Sequence, residues 1–138
     1  MKRILTAILL LIGLMSAFAV YGHHSAAGVD RSKTVTVEGT VKQFKWGNPH
    51  AWLDVEVPNS KGGTDVWSFE MTSPTFLVRA GWKATSVKAG DKVKVVGRPL
   101  KNGDPGGLFV SVTLPDGKTL TEQAQPAAPA PAATPARD

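Results

Sequence analysis

The residues with the greatest capacity for chemistry are three histidines. His23 and His24 are adjacent, and His50 follows Asn48 and Pro49 in a short polar stretch. The chain contains no cysteine, which excludes disulfides, thiolate metal sites and thiol catalysis. Neutral imidazole is the commonest side-chain ligand for transition metals. The three histidines therefore predict a nitrogen-rich site for copper or zinc.

Copper is favoured over zinc for two reasons. The affinity of nitrogen sites follows the Irving–Williams order, and an exported protein meets an oxidising compartment. A more ordinary interpretation stays open for each motif. His23 and His24 can form a solvated chain end, and the ring of His50 can close a turn by a hydrogen bond to a carbonyl oxygen.

Export is predicted by the first 22 residues. Two basic residues precede a long apolar run, which is typical of a secretory signal peptide. Cleavage after Ala19 or after Gly22 fits the small-residue rule, and the second site leaves His23 with a free α-amine beside its ring. We expect a periplasmic or secreted protein that is free of the membrane after cleavage. The alternative is an uncleaved anchor with a single span.

The rest of the chain divides into one domain and a tail. Residues 23–120 are long enough for a single small domain. Residues 121–138 are dominated by Ala, Pro, Gln and Thr, and cannot bury enough apolar surface to offset their ordering entropy, so we expect a disordered tail. The net charge of +5 comes from basic residues scattered among acidic ones, which argues against a nucleic-acid partner.

The apolar residues of the domain alternate with a period of two, which indicates strands. Three strands, a short helix over residues 74–80 and two further strands predict an all-β, five-stranded OB-fold-like barrel, with an SH3-like barrel as the alternative. Phe76, Leu77 and Ala80 are expected to fill the core. In the first strand the apolar phase changes after Gly39, which predicts a bulge or sharp bend.

The second and third strands are predicted to form a hairpin around a turn near Lys61. This register places Trp52 opposite Glu70 and His50 near Thr72. Glu70 is then expected to support the metal as a fourth ligand or as a carboxylate that orients a ligand. The outward face of the hairpin is expected to carry His50, Trp52, Asp54, Ser68 and Glu70.

A metal-free binding module is the second functional hypothesis. Trp52, Asn48 and Ser68, together with Glu70, would then bind a small ligand, a glycan or a partner peptide on the hairpin face that OB-folds commonly use. Alternatively, the segment from Ser25 to Asp30 covers the ring of Trp52, which is then not exposed.

A third hypothesis is an accessory subunit with an envelope protein as its partner. Motifs for nucleophilic or zinc-protease catalysis are absent from the sequence, so we expect no enzyme.

Four motifs follow one another along the domain: His23-His24-Ser25, Trp46-x-Asn48-Pro49-His50-x-Trp52, Trp67-x-Phe69-Glu70-Met71 and Lys88-x-Gly90-Asp91. Together they resemble a family of small exported bacterial proteins that is grouped only as a domain of unknown function. The resemblance implies a periplasmic OB-like barrel with no established activity. Such proteins often carry Ala-x-Ala before the histidine pair, whereas this chain has Val20-Tyr21-Gly22 there. This departure weakens the case for the α-amine of His23 as a metal ligand. The most specific of these motifs are the paired histidines, His23-His24, and Asn48-Pro49-His50.

Overall fold

The structure, a computed structural model, describes residues 28–123. These residues form six strands and one short helix. The predicted signal peptide, His23, His24 and the tail from residue 124 onwards lie outside the described residues. The elements, in chain order, are β1 Val35–Lys45, β2 Trp52–Pro58, β3 Thr64–Glu70, α1 Pro74–Arg79, β4 Lys92–Pro99, β5 Gly106–Thr113 and β6 Thr119–Thr121.

The first five strands close into a barrel. The strand order is β3-β2-β1-β4-β5-β6, and β3 also pairs in parallel with β5, where Glu70 lies opposite Leu108. The other pairings are antiparallel. The helix α1 lies between β3 and β4 in the chain, so the predicted five-stranded barrel with one short helix is confirmed. In the part of the chain that the structure describes, β6 is an additional strand that the sequence did not predict.

The long strand β1 serves two partners. Its first half pairs with β4 and its second half with β2, with a register shift between Val41 and Gln43. The predicted bulge is therefore confirmed, shortly after Gly39. Glycine is needed at position 39 because β1 and β2 approach closely there: an added Cβ would lie 2.3 Å from the carbonyl oxygen of Glu56.

The barrel core is built from the inward side chains of the strands. Trp82, in the segment between α1 and β4, is only 2% exposed, and its Nε1 donates a 2.7 Å hydrogen bond to the carbonyl oxygen of Thr121. This bond ties the end of β6 to the core. The largest fully buried side chains are Trp82, Phe69, Leu53, Leu77, Val55, Val95 and Val112.

One core prediction for α1 is wrong. Leu77 is fully buried as expected and Ala80 packs against the core, but Phe76 is 57% exposed. Leu77 and Ala80, three residues apart, face the barrel together, and Phe76, about 100° around the helix from Leu77, points outward. The outward ring of Phe76 instead lies 5.7 Å from the guanidinium of Arg79.

The β2–β3 hairpin has the predicted register. Trp52 lies opposite Glu70, and Asp54 lies opposite Ser68. Since paired residues share a face of the sheet, these four side chains belong to the outward face of the barrel wall. Among residues 28–123, no helix is long and apolar enough to span a bilayer.

Candidate functional site

His50 is positioned by the turn between β1 and β2. The Asn48-Pro49 bond in this turn is cis. Just past the turn, the backbone N–H of Ala51 donates to the carbonyl oxygen of Thr72, and the N–H of Met71 donates to the carbonyl oxygen of Ala51. These two bonds place both Met71 and Thr72 opposite Ala51, which is the pattern of a β-bulge just past the last pair of the β2–β3 ladder. His50 therefore lies at the end of the hairpin, next to the residue that Thr72 pairs with.

The side chains of His50 and Glu70 are in direct contact, with His50 Nδ1 against Glu70 Oε1. The carboxylate belongs to the barrel wall, with 8% of the Glu70 side chain exposed, whereas 48% of the His50 side chain is exposed. A carboxylate at Nδ1 holds the ring proton on that nitrogen and fixes the orientation of the imidazole. The lone pair of Nε2, on another edge of the ring, is then available to a different partner.

Glu122 approaches the same place from the end of β6. Its Oε1 accepts a 2.5 Å hydrogen bond from the backbone N–H of Thr72, the residue that bonds Ala51 beside His50. Burial raises the pKa of the Glu122 carboxyl. The bond from Thr72 and the charge of His50 oppose this rise in pKa, and the negative charge of Glu70 adds to it.

Glu122 was missed by the sequence analysis, which places it in the tail. The sequence change that marks the tail begins at Thr121, but β6 ends at that residue and Glu122 contacts Thr72. No local pattern signals these contacts, because they join residues that are far apart in the chain. The folded domain therefore includes Thr121 and Glu122.

Asp54 forms a second carboxylate cluster on the outward face. Lys45 Nζ lies 2.6 Å from Asp54 Oδ2, and the hydroxyl of Ser68 donates a 2.7 Å hydrogen bond to Asp54 Oδ1. Asp54 is only 6% exposed although it points away from the core. The hydroxyl proton of Ser68 is therefore already committed to a neighbour within the barrel wall.

Trp52 lies between these two clusters. Its register partners are Lys45 on β1 and Glu70 on β3, and its side chain is half-buried. Asn48, the other residue predicted for ligand binding, is exposed in the preceding turn. The structure thus places Trp52 and Asn48 at the same end of the hairpin as His50.

The described part of the N-terminal segment runs along β4. Val29 pairs with Leu100, and the N–H of Asp30 donates to the carbonyl oxygen of Pro99. Residues 28–30 therefore lie beside the end of β4, and the cover of Trp52 by this segment stays a prediction. The remainder of that segment, including Ser25, lies outside the described residues.

The predicted metal ligands are brought together in part. His50 and Glu70 are in direct contact, and His23 and His24 lie outside the described residues. Within residues 28–123, no three side chains of His, Cys, Asp or Glu are arranged to hold a metal ion. What the described residues provide is one oriented imidazole with two carboxylates beside it.

The comparison with known proteins identifies a family but no activity. A family model described as "Family of unknown function (DUF6152)" matches residues 11–110. This match confirms the expected resemblance to a family of unknown function, whereas bacterial export stays a prediction. No curated protein and no solved structure matches the chain. Of the side chains around His50, only Glu122 falls beyond the matched residues.

Proposed function

We propose that this chain, which belongs to the family of unknown function DUF6152, is an exported metal-binding protein. Its ion is a transition metal, with copper favoured over zinc. His23, His24 and His50 supply nitrogen ligands, and Glu70 orients His50. The chain binds the ion rather than catalysing a reaction, and it acts in the periplasm or outside the cell.

The observation that carries this proposal is the contact between Glu70 and His50 Nδ1. Metal-binding histidines usually present their second ring nitrogen to a carboxylate, a carbonyl or water, which fixes the tautomer and strengthens the ligand. Glu70 occupies that position from a buried site on β3, so the imidazole is oriented before any ion arrives. Of the two roles expected for Glu70, this contact favours the orienting one.

The charge around His50 also supports a cation. Glu122 lies close enough to His50 and Glu70 for their charges to act on its carboxyl, so the three groups share one corner of the barrel. When the imidazole is neutral, the two carboxylates leave this corner of the barrel negative. A divalent cation at His50 Nε2 would offset that charge.

The remaining ligands of the proposed site come from the chain before the barrel. Cleavage after Gly22 would give His23 both an α-amine and a ring nitrogen. With His50 Nε2 and His24, the donors would then be almost entirely nitrogen, a set that suits Cu(II) best in the Irving–Williams order.

A metal-free binding module remains the second candidate, and the position of Trp52 favours it. A half-buried indole between Lys45 and Glu70 offers an aromatic surface beside charged groups. Asn48 lies nearby in the turn, and Ser68 contributes less because its hydroxyl donates to Asp54. A small ligand, glycan or partner peptide, including one from an envelope protein, would use this surface.

The test is a metal titration of the processed, exported protein. Cu(II) and Zn(II) affinities are measured by competition with a chromophoric chelator for the wild type, His50→Ala and the control Trp52→Phe. We expect His50→Ala to weaken binding about 100-fold and Trp52→Phe to leave it unchanged. A wild-type affinity no tighter than about micromolar would overturn the proposal and favour the Trp52 surface.

A further inference from the structure

The carboxylate of Glu122 faces the candidate site although its chain segment is remote from the hairpin. Thr72 links the two, since its N–H donates to Glu122 Oε1 and its carbonyl oxygen accepts from the N–H of Ala51, the neighbour of His50. Three parts of the chain therefore meet at one corner of the barrel. These are the turn before β2, the end of β3 and the end of β6.

The position of Glu122 is set by core contacts and is not that of a loose chain end. The preceding residue, Thr121, accepts the hydrogen bond of the Trp82 indole, and Trp82 is almost fully buried. Leu120 is 9% exposed and pairs with Val112 in the β5–β6 ladder. The backbone just before Glu122 is thus fixed by both a ladder and a buried side chain.

The carboxylate of Glu122 retains capacity for another partner. A carboxylate has two oxygens with about four lone-pair sites, and the bond from Thr72 uses one of them. Glu122 is half-buried, so part of its hydration is lost. Glu70 also has one contact, with His50 Nδ1, but only 8% of its side chain is exposed, so its second oxygen is less accessible to an ion. Glu122 is therefore the carboxylate of this corner that is better placed to contact a cation directly.

We propose that Glu122 is a direct oxygen ligand of the metal ion held by His50 Nε2. This inference rests on the proposed function and adds to it the nature of the ion. A site with imidazole and carboxylate ligands is suited to Cu(II) or Zn(II), whereas Cu(I) prefers thiolate and thioether ligands. The ion is therefore divalent, and the C-terminal end of the domain takes part in binding it.

Glu122→Gln tests this inference in the processed full chain. Glutamine keeps an oxygen that can accept the Thr72 N–H but removes the charge. The matched control is Glu56→Gln, because Glu56 is a half-buried glutamate farther along β2 from His50. Two measurements are made on each protein: Cu(II) affinity by chelator competition, and the electron paramagnetic resonance spectrum of the Cu(II)-loaded form.

We expect Glu122→Gln to lower the Cu(II) affinity about 10-fold and to change the Cu(II) spectrum, with Glu56→Gln matching the wild type. Glu122→Asp, which keeps a shorter carboxylate, should retain more affinity than Glu122→Gln. The inference is overturned if the wild type binds Cu(II) tightly and Glu122→Gln matches it in affinity and spectrum. Failure of the wild type itself to bind metal would instead overturn the proposed function.

Discussion

Asp54 and Glu70 occupy neighbouring positions on the outward face of the β2–β3 hairpin, and they differ in their partners. Both are almost fully buried, at 6% and 7% exposure. Asp54 meets the permanent charge of Lys45 and the hydroxyl of Ser68. Glu70 meets an imidazole that is half-exposed.

This difference separates a structural cluster from a candidate site. The oxygens of Asp54 are each engaged by a donor from the barrel wall. The partner of Glu70 has a second nitrogen that points elsewhere, and another carboxylate, Glu122, lies beside it. Asp54 and Glu70 are therefore equally buried but differ in proposed function. The partners of Asp54 leave no atom for a further ligand, whereas His50, the partner of Glu70, leaves Nε2 for one.

The largest expected effect concerns metal affinity. Glu70→Gln keeps a hydrogen-bond acceptor for His50 Nδ1 but loses the charge that strengthens the imidazole as a ligand. We expect a loss of about 10- to 100-fold in Cu(II) affinity. Asp54→Asn, measured in the same chelator competition, should bind Cu(II) as the wild type does. An equal loss in both variants would remove the distinction between the two carboxylates.

The second prediction concerns stability, for which we expect Asp54 to matter more than Glu70. Asp54→Ala leaves the Ser68 hydroxyl and the Lys45 ammonium without their common acceptor, and we expect a loss of about 2 kcal/mol in the free energy of unfolding. Glu70→Gln should cost about half as much, since the amide can still accept a hydrogen bond. Urea denaturation of the metal-free proteins measures both. Similar losses would show that Glu70 is as structural as Asp54.

The third prediction concerns pH and Glu122. Burial raises the pKa of this carboxyl, so the folded metal-free protein binds its proton more tightly than the unfolded chain does. The resulting stabilisation is present below the ordinary glutamate pKa and is lost as the pH rises through the raised value. Glu122→Gln should therefore flatten the fall in melting temperature over this range. A wild-type slope in Glu122→Gln would contradict the prediction.

The smallest effect is expected at an exposed pair that serves as a baseline. Lys94 Nζ lies 2.8 Å from Glu38 Oε1, with more than half of each side chain exposed. Solvent and salt screen such pairs, so Lys94→Met should leave the melting temperature unchanged within error. A clear decrease would mean that surface charges also matter to this fold, and the effect of Asp54→Ala would need to be measured against it.

The hairpin and its register could be predicted from sequence because the signals are local. Leu53 and Val55 alternate with polar residues, and the turn between β2 and β3 is rich in Gly and Asn. Together these features define which residues face outward, so the pairing of Trp52 with Glu70 follows. The bulge in β1 was also accessible, since a bulge shifts the phase of the apolar pattern.

The part that could not be predicted depends on contacts between distant segments. Thr119–Thr121 is too short to show a strand pattern, and it is held by pairing with β5 and by the Trp82 indole. Glu122 reaches Thr72 only because of those contacts. The burial of Asp54 was likewise missed, because a carboxylate on an outward face becomes buried only when neighbours such as Lys45 and Ser68 cover it.

The central claim, that His50 with Glu70 forms a metal site, is tested most directly by native mass spectrometry of the processed protein. The wild type and His50→Ala are exposed to equimolar Cu(II), and the same spectra give the cleavage point. We expect one copper ion on the wild type and a clearly lower copper occupancy on His50→Ala. Equal copper occupancy of the two proteins, or a wild type that stays metal-free, would contradict the claim.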